Sequence, residues 1–84
     1  MWLVYIVLCS DNTLYTGITN NLERRLKQHN NGTGAKYTKF RVPVSVIWSK
    51  EIGSKSDALK EEYRIKQLPR EEKLKIVNGL LNNI

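Results

Sequence analysis

Tyr5 in Val4-Tyr5-Ile6 and Tyr15 in Tyr15-Thr16-Gly17 stand in two short stretches near the start of the chain; Arg25 and His29 follow one helical turn apart, and Glu62 lies downstream. A phenolic hydroxyl, a fixed guanidinium and a lone carboxylate are the parts of a metal-assisted phosphodiester cleavage site. The planar fork of Arg25 suits bidentate contact with a phosphate whose charge builds in the transition state. A phenol can relay or accept a proton when a neighbouring cation lowers its pKa. His29 can bind phosphate or protonate a leaving oxygen. It can equally pack at a helix C-terminus, where partial negative charge favours imidazolium. Glu62 has Lys66 one turn on, so an i,i+4 surface ion pair is one account of it. Its place in an apolar stripe makes a cleft-lining carboxylate the other, and one carboxylate completed by waters and a phosphate oxygen is a usual way to hold Mg²⁺. There is no zinc-spaced His/Cys cluster, no Gly-rich phosphate loop and no Ser-His-Asp set.

These side chains meet only if the elements that carry them pack in one way. Residues 2–9 read as a largely buried strand, Ser10-Asp11-Asn12-Thr13 as a turn, and residues 14–18 as a second strand, which together make a β-hairpin. A two-residue loop at Asp11-Asn12 would set the two tyrosines on opposite faces. A three-residue loop from Asp11 to Thr13, pairing Ser10 with Leu14, sends Tyr5, Val7, Cys9, Tyr15 and Gly17 to one face, and this register is expected. Gly17 then marks either a bulge or a place where substrate or backbone comes close.

Asn20 as N-cap, with Glu23 three residues on, predicts a helix over 21–30, stopped by Asn31-Gly32. At ~100° per residue, Leu22, Arg25, Leu26 and His29 share a face while Arg24 and Lys27 point elsewhere. A third strand is expected from Val44 to Lys50. Ser54 with Asp57 opens a second helix to about Gln67, with Ala58, Leu59 and Ile65 on its buried face and Glu62 near its middle. Pro69, Glu71 and Glu72 start a last helix whose seam is Leu74, Val77, Leu81 and Ile84. The elements follow in the order ββαβαα, an α+β chain forming one domain over residues 1–84.

A chain of 84 residues leaves no room for a second module, and its 40% hydrophobic and 26% charged residues suit a globular domain. The apolar run from Trp2 to Cys9 is too short to cross a membrane and lacks the preceding positive segment of a signal peptide. A single cysteine fits the reducing cytoplasm. Fourteen Lys and Arg against eight Asp and Glu give a net charge of +6, which suits either a polyanionic partner or a solubilising surface. The stretch Thr33 to Arg41 concentrates that charge: Lys36, Lys39 and Arg41 alternate with Tyr37 and Phe40, and no acid intervenes. Cations beside aromatic rings suit a phosphate backbone and exposed bases.

Taken in order, Val4-Tyr5-Ile6, Tyr15-Thr16-Gly17, Arg25, His29 and Glu62 resemble the GIY-YIG nuclease superfamily. The pattern runs from Leu3 to Gln67, and Leu8-Cys9-Ser10-Asp11 and Gly34-Ala35-Lys36-Tyr37-Thr38 look like its small, single-domain bacterial branch. Leu3 and Val4 stand where the first motif has glycine and isoleucine, Thr16 takes the middle of the second, and Ile18 stands where excision-repair relatives carry lysine. The resemblance implies a small three-stranded antiparallel sheet flanked by three helices, endonuclease action on DNA with RNA still open, a Mg²⁺ or Mn²⁺ site on Glu62, an arginine-to-phosphate contact at Arg25, and a tyrosine, Tyr15 with Tyr5 in support, that helps activate water. Larger relatives attach separate DNA-binding domains, so a partner protein that supplies substrate specificity is also expected. The alternative is a nucleic-acid-binding module that keeps the scaffold without cutting.

Overall fold

The structure is a computed structural model and describes residues 1–79. Strands β1 (Trp2–Leu8), β2 (Leu14–Thr19) and β3 (Ser45–Gly53) and helices α1 (Leu22–Asn30), α2 (Lys55–Lys66) and α3 (Arg70–Val77) follow the expected ββαβαα order. The sheet is antiparallel in the order β2-β1-β3. β1 is therefore the central strand, and its continuous apolar run is explained by burial on both faces: Val4, Tyr5, Ile6 and Val7 are all at most 1% exposed.

Alternation along β1 separates two cores. Val4 and Ile6 pack with Ala58 and Ile65 of α2 and with Ile76 and Val77 of α3. Tyr5, Val7 and Cys9 pack on the other side with Val44, Tyr15, Leu22 and Leu26, so α1 covers the face that carries both tyrosines. The expected shared face is therefore present, but the hairpin register differs. Leu8 pairs with Leu14 and Tyr5 with Gly17. The loop has three residues, Ser10 to Asn12, closed by Cys9 N–H to Thr13 C=O at 2.9 Å and Asn12 N–H to Cys9 C=O at 2.9 Å. Asn12 takes the left-handed conformation (φ 69°) that such a loop demands, and Asp11 Oδ1 accepts from Thr13 N and Oγ1 at 3.2 and 2.6 Å. The pairing partners thus move by two residues, and a shift of two preserves which face each side chain takes.

Other boundaries shift for local reasons. The N-cap of α1 is Asn21, not Asn20: its Oδ1 accepts from Arg24 N at 3.0 Å, while its own N–H is held by Thr19 Oγ1 at 3.1 Å. β2 runs to Thr19, which pushes the helix start on by one residue and leaves Glu23 to pair with Lys27 at 3.7 Å. β3 extends past Lys50 to Gly53 because β1 offers pairing partners as far as Trp2. On α2 the buried seam is Ala58 and Ile65, and Leu59 is turned outward, 46% exposed. α3 closes at Val77, with Gly79 at φ 69°; of the expected seam, Leu81 and Ile84 lie outside the described residues. Between α1 and β3, Asn30 clamps the chain by a reciprocal pair of bonds to Val44, Oδ1 from N–H at 2.7 Å and Nδ2 to C=O at 3.2 Å. The loop over 31–43 is thereby closed against the tyrosine face.

Candidate active site

Tyr5 points from the central strand across β2, and its hydroxyl is the hub of the site. It lies 2.7 Å from His29 Nε2 and accepts from Arg25 Nε at 3.3 Å. His29 Nδ1 lies 2.8 Å from Thr38 Oγ1, which in turn donates to Ala35 C=O at 3.1 Å. One proton assignment satisfies all of these groups. Thr38 gives its proton to the carbonyl and so accepts from Nδ1–H; Nε2 is then the acceptor for the Tyr5 hydroxyl, which keeps lone pairs for Arg25. A directed chain results, Arg25 to Tyr5 to His29 to Thr38 to Ala35.

Burial fixes the charge state of that chain. His29 is 0% exposed, and burial with the adjacent Arg25 charge holds its pKa down at about 4. It is therefore neutral at pH 7, despite its place in the last turn of α1. The ring is therefore not an imidazolium stabilised by the helix end, and both of its nitrogens are engaged inside the core, by Tyr5 and Thr38. Its position is that of a group that holds Tyr5. Burial likewise raises the Tyr5 pKa, opposed by the Arg25 hydrogen bond, so Tyr5 stays a phenol. Arg25 is half-buried and steadied by Gln28 Oε1 at 3.2 Å, which fixes its fork at the rim.

Two glycines make this packing possible. A Cβ at Gly17 would stand 2.6 Å from Tyr5 Oη and 2.8 Å from its Cζ. What comes close to Gly17 is thus the phenol of its own pairing partner, not a bulge or a substrate. A Cβ at Gly34 would stand 2.5 Å from His29 Nδ1, so the loop can press Thr38 onto the imidazole only with glycine there. Gly17→Ala should destabilise the fold by about 1–3 kcal/mol, because Tyr5 is held at both ends and cannot swing away. A urea midpoint equal to that of the wild type would contradict this packing.

Tyr15 has the opposite character. It is half-buried, edge-on to His29 (centroids 5.4 Å apart), and its hydroxyl has no hydrogen-bond partner among the described residues. Tyr37 stacks on it at 5.8 Å, and the Lys66 ammonium lies 5.5 Å from its ring centre. That last contact locates α2: although the helix packs mainly on the opposite core, it reaches round edge strand β2 to the tyrosine side. Glu62, one turn before, has an 18% exposed side chain, pairs with Lys66 at 3.3 Å, and its charge acts on the Tyr5 hydroxyl. Glu62 is thus ion-paired to Lys66 and largely withdrawn from solvent.

Whether the residues suit a divalent cation turns on Glu62. Among the described residues no group of three or more His, Cys, Asp or Glu could enclose a metal. A single accessible carboxylate fits an ion that keeps most of its water and takes further ligands from a phosphate, as Mg²⁺ and Mn²⁺ do. Lys66 is the present counter-ion and must yield to such a cation.

The basic loop divides by function. Lys36 and Lys39 are exposed, and Tyr37 is partly so. Arg41 is committed: Nε pairs with Asp11 Oδ2 at 2.9 Å, Nη1 donates to Tyr37 C=O at 2.7 Å, and the guanidinium lies over the Tyr37 ring at 4.2 Å. It braces the loop, because Asp11 from the hairpin turn reaches it. Sequence reading missed Thr38, Gly34 and the ring contact of Lys66. Their only signal was the Gly34-to-Thr38 wording of the family, since their roles depend on the loop folding back onto α1.

The sheet, the Tyr5/Tyr15 face, Arg25 on the covering helix and Glu62 at the sheet edge define a GIY-YIG domain, and the GIY-YIG catalytic domain model matches residues 1–75. The chain belongs to this nuclease family. It is 60% identical over 74 residues to a UPF0213 protein of Oceanobacillus iheyensis, covering 88% of this chain and 86% of that one. A UPF0213 protein of Halobacterium salinarum is 51% identical over 70 residues, 83% of this chain and 91% of its own. Among solved structures, the solution NMR structure of the UPF0213 protein BH0048 from Bacillus halodurans shares 40% identity at a TM-score of 0.59, covering 93% of this chain and 84% of that one. The solution NMR structure of the protein EF2693 from E. faecalis shares 38% identity at a TM-score of 0.65, covering 98% and 88%. No described helix is long and apolar enough to cross a membrane.

Proposed function

We propose that the chain is a metal-dependent endonuclease of DNA, with branched or damaged DNA as its substrate class. The observation that carries this reading is that Arg25, fixed through Tyr5 to a neutral buried histidine, lies on the face that also carries Tyr15, whose ring is contacted by Lys66, the ion-pair partner of Glu62. Arg25 neutralises the charge that develops on the phosphate during in-line attack by water. Tyr15, with a free hydroxyl, orients that water; Tyr5 and His29 hold Arg25 and shape the pocket without touching substrate. Glu62 is the residue that holds Mg²⁺ or Mn²⁺, which when bound supplies charge neutralisation at the phosphoryl oxygens. Lys36 and Lys39 follow the flanking backbone, and a partner protein supplies any sequence preference.

The test is nicking of supercoiled plasmid and cutting of a branched oligonucleotide with Mg²⁺ or Mn²⁺, against the same reactions with chelator. Metal-dependent products are expected, and their absence at every metal concentration overturns the proposal. One observation favours a second reading, a binding module that no longer cuts: Lys66 already neutralises Glu62. That reading predicts salt-sensitive DNA binding with no metal-dependent product. If Glu62 is the cation ligand, Lys66→Gln should tighten Mn²⁺ binding by about twofold, the worth of an i,i+4 helix ion pair. Spin-resonance titration of free Mn²⁺ reads this directly, and unchanged affinity counts against Glu62 as ligand.

A further inference from the structure

Phe40 is 86% exposed, the most exposed of the large hydrophobic side chains among the described residues. Its neighbours impose that position. Thr38, two residues before, is 0% exposed and bonded to His29; Arg41, directly after, is tied to Asp11 and to the Tyr37 carbonyl, and its N–H donates to Thr38 C=O at 3.0 Å. The ring is thus held out on a braced turn. Its setting is cationic: Lys39 lies 5.3 Å from the ring centre, Lys36 is exposed nearby, and no acid falls between Thr33 and Arg41.

An apolar ring with a free face among unpaired cations suits a partner that offers a π-face and phosphates together. In duplex DNA those faces are hidden by stacking; in a single strand, a flap or a junction they are open. The bracing also ties the ring to the site, since Tyr37 stacks on Tyr15 and Thr38 bonds His29. We propose that Phe40 is a base-stacking wedge that receives an unstacked nucleotide beside the scissile phosphate, with Lys36 and Lys39 on the flanking phosphates, so that the loop selects DNA with unpaired bases over continuous duplex. This rests on the nuclease reading above and adds the feature of DNA that the chain recognises.

The experiment is fluorescence anisotropy of the full chain with a labelled single strand, a splayed-arm duplex and a blunt duplex at one salt concentration. Wild type, Phe40→Ala, Phe40→Trp and the Lys36→Ala/Lys39→Ala double variant are compared. Phe40→Ala should bind the single strand and the splayed arm about tenfold more weakly, the loss of one base stack, and blunt duplex within about twofold of wild type. Phe40→Trp should restore binding, and its fluorescence should be quenched by the single strand beyond any change in the wild type. The lysine variant should lose affinity for all three. Equal losses on all three DNAs for Phe40→Ala, or no loss on any, overturns the wedge while leaving the nuclease reading in place. Wild type that binds none of them at low salt overturns the nuclease reading and the wedge with it.

Discussion

Arg25→Ala should lower the metal-dependent cleavage rate by about 10²–10³-fold, the range found when one preorganised donor to a developing anion is removed. Binding should change far less if, as proposed, Lys36 and Lys39 carry most of the ground-state contact with the backbone. Arg25 has two tasks, and Arg25→Lys separates them. Lysine keeps the charge but lacks both the fork and the Nε–H that reaches Tyr5 Oη at 3.3 Å. If the fork is what the reaction needs, Arg25→Lys falls nearly as far as Arg25→Ala in single-turnover rate. A rate for Arg25→Ala within about threefold of wild type would remove Arg25 from the phosphate site, since the effect demanded of it is far larger.

Acidification should unfold the protein through His29. Its pKa is about 4 in the fold against an ordinary value of 6.5. The neutral ring is the native form and the protonated ring favours the unfolded chain. The stabilisation is therefore complete above pH 6.5, falls as pH drops below that value, and is gone once pH passes below about 4. The shift corresponds to about 3 kcal/mol, a large share of the stability of so small a domain. Urea titrations from pH 7 to pH 4 should show this loss in the wild type and only a residue of it in His29→Gln, which has no imidazole to protonate. The same imidazole followed by NMR should titrate well below 6, and an ordinary histidine titration would show that it is not buried as described.

The two halves of the site differ in how far they can be read from residues. Face assignment along the hairpin was legible because strand side chains alternate: pairing Leu8 with Leu14 instead of Ser10 with Leu14 moved the register by two and left Tyr5, Tyr15 and Gly17 together. Arg25 and His29 followed from helical periodicity in the same way. The charge state of His29 was not legible, because it depends on Thr38 being folded back against Nδ1 and on Gly34 leaving room for it. The tie of Arg41 was hidden for a similar reason, since its partner Asp11 lies 30 positions away in the hairpin turn. Leu59 fitted the period of the buried face, but the seam of α2 that packs on the sheet narrows to Ala58 and Ile65, and Leu59 turns outward. The same packing lets Lys66 reach the Tyr15 ring, which no pattern within α2 could reveal.

Single-turnover cutting of a splayed-arm duplex by wild type and Glu62→Gln, across a Mg²⁺ titration, tests most directly that this face is a metal-dependent phosphodiester site. Glu62→Gln keeps the size of the side chain and loses the charge that holds the cation. The site described here predicts saturable Mg²⁺-dependent cutting by the wild type and a drop of at least about 10²-fold in Glu62→Gln, with DNA binding unchanged. Equal cutting by both proteins, or cutting by the wild type that ignores Mg²⁺ and chelator, would contradict it.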